Sequence, residues 1–208
     1  MAPELFTERR VNSDQLQKQL NVGGYCVLPC RTSDNCAIIV VRLQDSNYHN
    51  FNFESHVKII CMLLDSVSYD NPPDGLISIL DMQGTGIMHL SCIKLRLVRI
   101  FTRYVQECLP LKLKAVHLIN GGSVLSNLFS MFKPFLKREV KEMMDLYKTD
   151  DMDLFYEKCP KRLLPNDYGG DMPCMETLNR NQIARFNDLI GYFEAEEKQR
   201  KTKLDLSI

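Results

Sequence analysis

The sequence has no net charge, no long apolar run, and none of the short signatures that mark common metal or nucleophile sites. Its 26 Lys and Arg balance 26 Asp and Glu, so no global field draws it to nucleic acid or to an anionic membrane, and any such contact needs a local patch. A nucleic-acid partner is therefore not expected. The longest apolar runs, Cys36 to Val41 and Ile59 to Leu64, are six residues each, against roughly 20 for a membrane-spanning helix. The first ten residues, MAPELFTERR, carry two acidic residues and no apolar stretch, which does not read as a secretory signal. A cytoplasmic location is expected.

Metal and cofactor chemistry also lack their usual patterns. Cys26, Cys30 and Cys36 form no CxxC pair and have no histidine at zinc-finger spacing. Cys61, Cys92 and Cys108 fall inside apolar helical patterns and are expected to be free thiols packed as small hydrophobes. His49, His56, His89 and His117 are scattered, without the HExxH spacing that puts two imidazoles on one helix face. Gly84-Thr85-Gly86 follows a predicted strand, but His89 stands where a dinucleotide fingerprint needs its third glycine. Gly121-Gly122 opens a helix without the Lys-Ser/Thr of a phosphate-binding loop, and no GxSxG elbow occurs. No metal, no cofactor and no catalytic residue is expected.

What is present is a chain of 208 residues, 45% hydrophobic, long enough to bury about 70% of its extended surface without crosslinks. Asn12 to Leu20 reads as a short helix ended by Gly23-Gly24, followed by a hairpin of strands over Tyr25 to Pro29 and Ala37 to Leu43. Apolar residues at helical spacing from Phe53 to Val67 predict a helix stopped by Asn71-Pro72-Pro73-Asp74-Gly75. Leu76 to Leu80 is a buried strand, Ile93 to Cys108 an amphipathic helix, and Leu111 to Ile119 a strand. In that last strand Leu111 and Leu113 face one way and Lys112 and Lys114 the other. Ser123 to Leu136 predicts an apolar helix capped by Ser123 and kinked or stopped at Pro134. A strand over Val140 to Tyr147, a helix over Asp151 to Lys158, a closing loop over Arg162 to Gly170 and one charged helix from Met175 to about Lys203 complete the chain. Strands alternating with helices give an α/β fold with a largely parallel sheet.

Two physical features stand out. The apolar residues of 123–136 spread beyond one narrow stripe, which means either deep burial or a face that covers something removable. Residues 91–120 hold six Lys or Arg and one Glu, and 131–141 hold four and one, whereas 142–157 hold six acidic residues and one Lys. A neutral chain thus gathers basic charge around its most apolar helix.

Four blocks then become recognisable: Asp81-x-x-Gly84, Leu109 to Asn120 (LPLKLKAVHLIN), Phe129 to Leu136 (FSMFKPFL) and Leu164 to Gly170 (LPNDYGG). In this order and spacing they resemble the CRAL-TRIO lipid-binding domain, above all its tocopherol-transfer and retinaldehyde-binding branch. The resemblance implies a mixed, largely parallel sheet flooring a hydrophobic cavity, a gate helix at 123–136, and binding and intermembrane transfer of a small lipid. It places the domain at 12–170, with 1–11 as the remnant of an N-terminal helical region and 171–208 as a C-terminal helix and tail. Matching pocket and gate positions are Ile60, Leu64, Leu76, Leu80, Phe101 and Val105, then Leu111, Leu113, Leu125, Leu128, Phe129 and Phe132. Lys112 and Lys114 match phosphoinositide-binding positions of the family, with Lys137, Arg138 and Lys141 beside them, which implies a peripheral membrane partner.

The sequence also departs from the family. Glu139 and Met143 stand where relatives are basic, and Gly121-Gly122 replace a turn that usually contains proline, which should loosen the gate hinge. Only Pro3 to Phe6 resembles the N-terminal region, so exposed apolar surface and self-association are expected. The C-terminal helix lacks the tryptophan of many relatives, and Ile183 or Phe186 takes its place. The competing reading is a protein-interaction module on the same fold, with a filled cavity.

Overall fold

Two Val- and Ile-rich segments build the centre of a five-stranded sheet of order β1-β2-β3-β4-β5. In a computed structural model that describes residues 3–205, the chain runs through α1 (Pro3–Phe6), α2 (Asp14–Val22), β1 (Gly23–Val27), β2 (Cys36–Leu43) and α3 (Phe53–Ser68). It continues through β3 (Gly75–Asp81), α4 (Ile87–Ser91), α5 (Leu95–Glu107), β4 (Leu113–Ile119) and α6 (Val124–Phe132). α7 (Arg138–Glu142), β5 (Met144–Leu146), α8 (Met152–Lys158), α9 (Met175–Asp188) and α10 (Ile190–Asp205) follow. Expectations for residues 1–2 and 206–208 lie outside the described residues.

β1 pairs antiparallel with β2, and β2 to β5 pair in parallel, so the sheet is mixed and largely parallel. Each parallel step moves to the next strand in the same direction. Right-handed crossovers that advance one way put their helices on one face, and α3, α5 and α6 cover that face. The strands alternate accordingly: Ile39, Val41 and Leu76 pack with α3 and α5, while Ile38, Val40, Ile79 and Ile119 pack with Phe155, Tyr168 and Met175 on the other side.

One irregularity sets which residues of β4 face the helices. Leu76 lies opposite Leu113, but Ile77 lies opposite Ala115, so Lys114 is an extra residue in the ladder. A strict period of two would put Ala115 beside Leu113; the bulge puts Val116 there instead. Lys114 crosses Gly75, where a Cβ would come within 2.6 Å of the lysine Cγ.

Several boundaries differ from expectation. α4 was not foreseen, and β4 starts at Leu113 rather than Leu111. Ser123 precedes α6, but its hydroxyl makes no cap hydrogen bond. The predicted strand over Val140 to Tyr147 shrinks to β5, since its first residues belong to α7, where Arg138 and Glu142 pair across one exposed helical turn (2.8 Å). The C-terminal helix is two helices broken at Leu189, with Gly191 just beyond, and the break turns Leu189 and Phe193 into the core.

The face where exposed apolar surface was expected is covered by α10. Arg9, 2% exposed, pairs with Asp65 of α3 and Glu196 of α10 and lies between the rings of Phe6 and Phe193. The large exposed apolar side chains among the described residues are Tyr69, Ile87, Met88, Leu95, Leu146 and Leu154, none of them on α1, α2 or α10.

Candidate functional site

Between the sheet and α3, α5 and α6 lie two apolar lobes with a common wall. The first, of about 150 Å³, sits toward the C-terminal ends of β2 and β3, among Val57, Leu80, Met82, Leu90, Ile93 and Leu128. The second, of about 130 Å³, sits toward the N-terminal ends of β3 and β4, among Leu64, Leu76, Val105, Leu113, Val116 and Leu136. Val41, Ile60, Leu80, Phe101 and Phe132 border both. An apolar cavity of ~150 Å³ stays dry and admits a molecule the size of benzene. Each lobe alone is at most half of a ~300 Å³ small-molecule pocket; Phe101 and Phe132 are the aromatic residues of their common wall.

Of the residues singled out in the sequence, Ile60, Leu80, Phe101 and Phe132 border both lobes. Leu64, Leu76, Val105 and Leu113 border the second, and Leu128 the first. Three do not line either lobe. Leu111 precedes β4 and packs into the core below it, 7% exposed. Leu125 is the second residue of α6 and folds back onto Gly121, where a Cβ would meet its Cδ1 at 2.6 Å. Phe129 is half-buried on a flank of α6, one position past Leu128 and so turned about 100° from it.

Sequence reasoning missed the floor of the first lobe, including Phe51, Phe53 and Met82. The Phe51-x-Phe53 pair after a polar loop was a readable signal; Met82, in a turn, was not. It also missed two histidines on that lobe, His56 and His89. Gln19 accepts from the Asn52 amide through Oε1 (2.8 Å), so its Nε2 donates to the Tyr25 hydroxyl (3.1 Å), which lies 2.8 Å from His56 Nδ1. Burial pushes His56 down to about 4 and raises Tyr25 far above its ordinary range. His89 Nδ1 accepts from the Gly86 amide (3.0 Å), and burial lowers this imidazole as well.

The blocks that made the sequence recognisable form the scaffold behind the cavity. Asp81 Oδ1 accepts from the Gln83 amide and from Asn120 Nδ2, both at 3.0 Å, and Oδ2 accepts from the Tyr168 hydroxyl at 2.8 Å. Asp167 accepts from the Met175 amide (2.7 Å) and pairs with Arg42 (2.9 Å). Gly170 is obligatory, because a Cβ there would strike the carbonyl oxygens of Leu164 and Lys161.

The basic residues are not equivalent. Lys112 and Lys114 are exposed, and half-buried Lys141 lies at the same end of the sheet, because β4 and β5 run in parallel. Lys137 pairs with Glu107 (3.2 Å) and Arg138 with Glu142. Among the described residues no group of three or more His, Cys, Asp or Glu could hold a metal ion, and no helix is long and apolar enough to cross a membrane.

Comparison with known proteins agrees with this geometry. A family model described as the CRAL/TRIO domain matches residues 21–170. An alpha-tocopherol transfer protein-like protein of Mus musculus is 24% identical over 183 residues, covering 87% of this chain and 52% of its own length. Its Homo sapiens counterpart is 23% identical, and clavesin-1 of Xenopus laevis 20%. The chain spans about half the length of these curated relatives. The crystal structure of Sfh5 shares the fold, with a TM-score of 0.51 at 16% identity, over 85% of this chain and 63% of that one.

Proposed function

The chain belongs to the CRAL/TRIO domain family, whose members bind and transfer lipids, and from that premise we propose that it holds one small hydrophobic lipid in the two joined lobes and exchanges it at membrane surfaces. The observation that carries this reading is the pair of adjoining apolar lobes that share Val41, Ile60, Leu80, Phe101 and Phe132 as a common wall. On this reading the ligand spans both lobes along Ile60 and Leu80, with the Phe101 and Phe132 side chains making room for it. Burying an alkyl or isoprenoid chain contributes about 0.8 kcal/mol per CH₂, so ten carbons supply several kcal/mol without covalent chemistry.

Selectivity then follows from the length and shape of the slot; a tocopherol-, retinoid- or phospholipid-like molecule fits the requirement of one long apolar body. The exposed Lys112 and Lys114, with Lys141 beside them, support docking to anionic lipid headgroups such as phosphoinositides. Lys137 and Arg138 contribute less to that surface, since each already faces a carboxylate.

Mass spectrometry of an organic extract of the purified protein tests the reading. One enriched lipid species, near one molecule per chain and absent from a control protein purified in parallel, is the expected outcome. An extract indistinguishable from the control, together with failure to take up any long-chain probe from vesicles, overturns it.

A further inference from the structure

A further hollow shares no lining residue with either lobe. It lies beyond the C-terminal ends of β1 and α3, against the second half of α9, and at about 270 Å³ it is larger than each lobe. That approaches the ~300 Å³ at which small-molecule sites begin. Its lining is mixed where theirs is apolar. Val27, Leu28, Ala37 and Val67 form an apolar floor, while Arg31, Asp70 and Arg185 bring charge.

The polar groups at the floor are used by the fold. Gln182, 6% exposed, accepts from the Val27 amide through Oε1 (3.3 Å) and donates through Nε2 to Ser66 Oγ (3.1 Å), whose own proton goes to the Leu63 carbonyl (2.7 Å). The two guanidinium groups are committed less fully. Arg31 donates to Asn35 Oδ1 (2.7 Å) and to the Asn71 carbonyl, both neutral acceptors, and it pairs with no carboxylate among the described residues. Arg185 meets Asp70 through Nη2, and the Asp70 side chain is 66% exposed, so water screens the pair and it contributes little. Asp74 stands one step away, accepting from Asn35 Nδ2 (2.8 Å). Two guanidinium groups and one exposed carboxylate thus leave the lining with one unmatched positive charge.

We propose that this hollow is a second binding site, separate from the lipid cavity, for a small organic carboxylate. The apolar body rests on Val27, Leu28, Ala37 and Val67, and the carboxylate accepts from guanidinium N–H groups of Arg31 and Arg185 that the fold leaves unused. A guanidinium fork matches a planar carboxylate. One negative charge balances the lining, whereas the two of a phosphate monoester exceed it beside Asp70. The site does not depend on the lipid-binding reading.

The test uses the full chain with three probes of one shape, 2-naphthoate, its neutral isostere 2-naphthamide, and 2-naphthyl phosphate, followed by fluorescence titration and backbone amide NMR. The carboxylate should bind at least about 10-fold more tightly than the amide. It should shift the amides of Val27, Ser66, Val67 and Gln182 and leave those of Ile60, Leu80 and Phe101 in place. Arg31→Gln and Arg185→Gln should each weaken it about 3- to 10-fold. Asp70→Asn, which removes the competing carboxylate, should tighten it about 2- to 3-fold. None of the three variants should alter the circular dichroism spectrum or the uptake of a long-chain probe from vesicles. Equal affinity for carboxylate and amide, or shifts confined to the lobe residues, overturns the site while leaving the lipid cavity intact. Tighter binding of the naphthyl phosphate than of the carboxylate overturns the ligand class.

Discussion

At the scale of single residues, burial decides what the polar groups of the cavity can do. His56 is held neutral with a pKa of about 4, against about 6.5 in an unfolded chain. The unfolded state therefore binds more protons between those values, so the stability His56 contributes is complete above pH 6.5 and is lost as the pH falls toward 4. Asp65 acts in the opposite sense: burial, set against the nearby Arg9, pushes it up to about 6, so its proton favours the folded state over an overlapping range. Acid sensitivity of the wild type is thus a partial cancellation. Comparison with His56→Asn removes the Asp65 contribution. Between pH 7.5 and pH 5 in urea titrations, wild type should lose up to about 2 kcal/mol more than the variant; equal losses would show that His56 is solvated in the folded state. The apolar residues of this site were legible from periodicity, as with Ile60 and Leu64 on α3 or Phe101 and Val105 on α5. The histidines were not, because their tautomers depend on partners such as Tyr25, 31 residues from His56 in the chain.

Among the three helices that cover the cavity, α3, α5 and α6, α6 is the one most lightly held. Leu125 is its single buried residue, and Ser126, Asn127 and Ser130 face solvent. Its ends are tied down instead. Asn120, in the left-handed region at φ 55°, donates to Asp81, and Gln106 of α5 donates to the Phe135 carbonyl (3.1 Å) and accepts from the Lys137 amide (2.6 Å). The positive φ at this hinge belongs to Asn120, while Gly121 is needed for the close approach of Leu125. An element with few buried contacts between fixed ends opens at low cost, which suits a gate. Leu128→Asp or Phe132→Asp places a carboxylate on a half-buried face that can still reach water. Lipid uptake should fall 10-fold or more in either variant, at about 1–3 kcal/mol for burying the polar group, with an unchanged circular dichroism spectrum. Global unfolding of both variants would make α6 a fixed part of the core. Helical spacing was enough to find this element, and Pro134 its end. The sequence carried no comparable sign of α4, a single turn, or of the break at Leu189, which depends on where Phe193 finds its pocket.

For the molecule as a whole, the sheet separates two tasks. Its far face carries the scaffold, where Asp81, Asn120 and Tyr168 from three of the recognisable blocks meet; its near face carries the cavity, whose lining comes from residues of ordinary apolar type. That division explains why the family was legible in the sequence while the ligand was not: turns and buried hydrogen bonds demand particular residues, whereas an apolar wall accepts many. The basic end of the sheet belongs to the same geometry. Lys112 and Lys114 stand at the start of β4, beside the second lobe, with Lys141 just before β5, so a membrane docked there would lie next to that lobe. Each lysine near an anionic surface contributes about 1 kcal/mol, falling off over a Debye length of roughly 8 Å at physiological salt. Replacing Lys112 and Lys114 together by alanine should weaken binding to phosphoinositide-containing vesicles by about 2 kcal/mol, nearly 30-fold, and leave uptake of a long-chain probe into the cavity unchanged. Raising the salt should weaken the wild type more than the double variant, because two of the screened charges are gone. Equal vesicle binding by both proteins at low salt would return these lysines to the role of a solvated strand edge, and docking would then have to be sought at the exposed apolar residues Ile87, Met88 and Leu95 around α4.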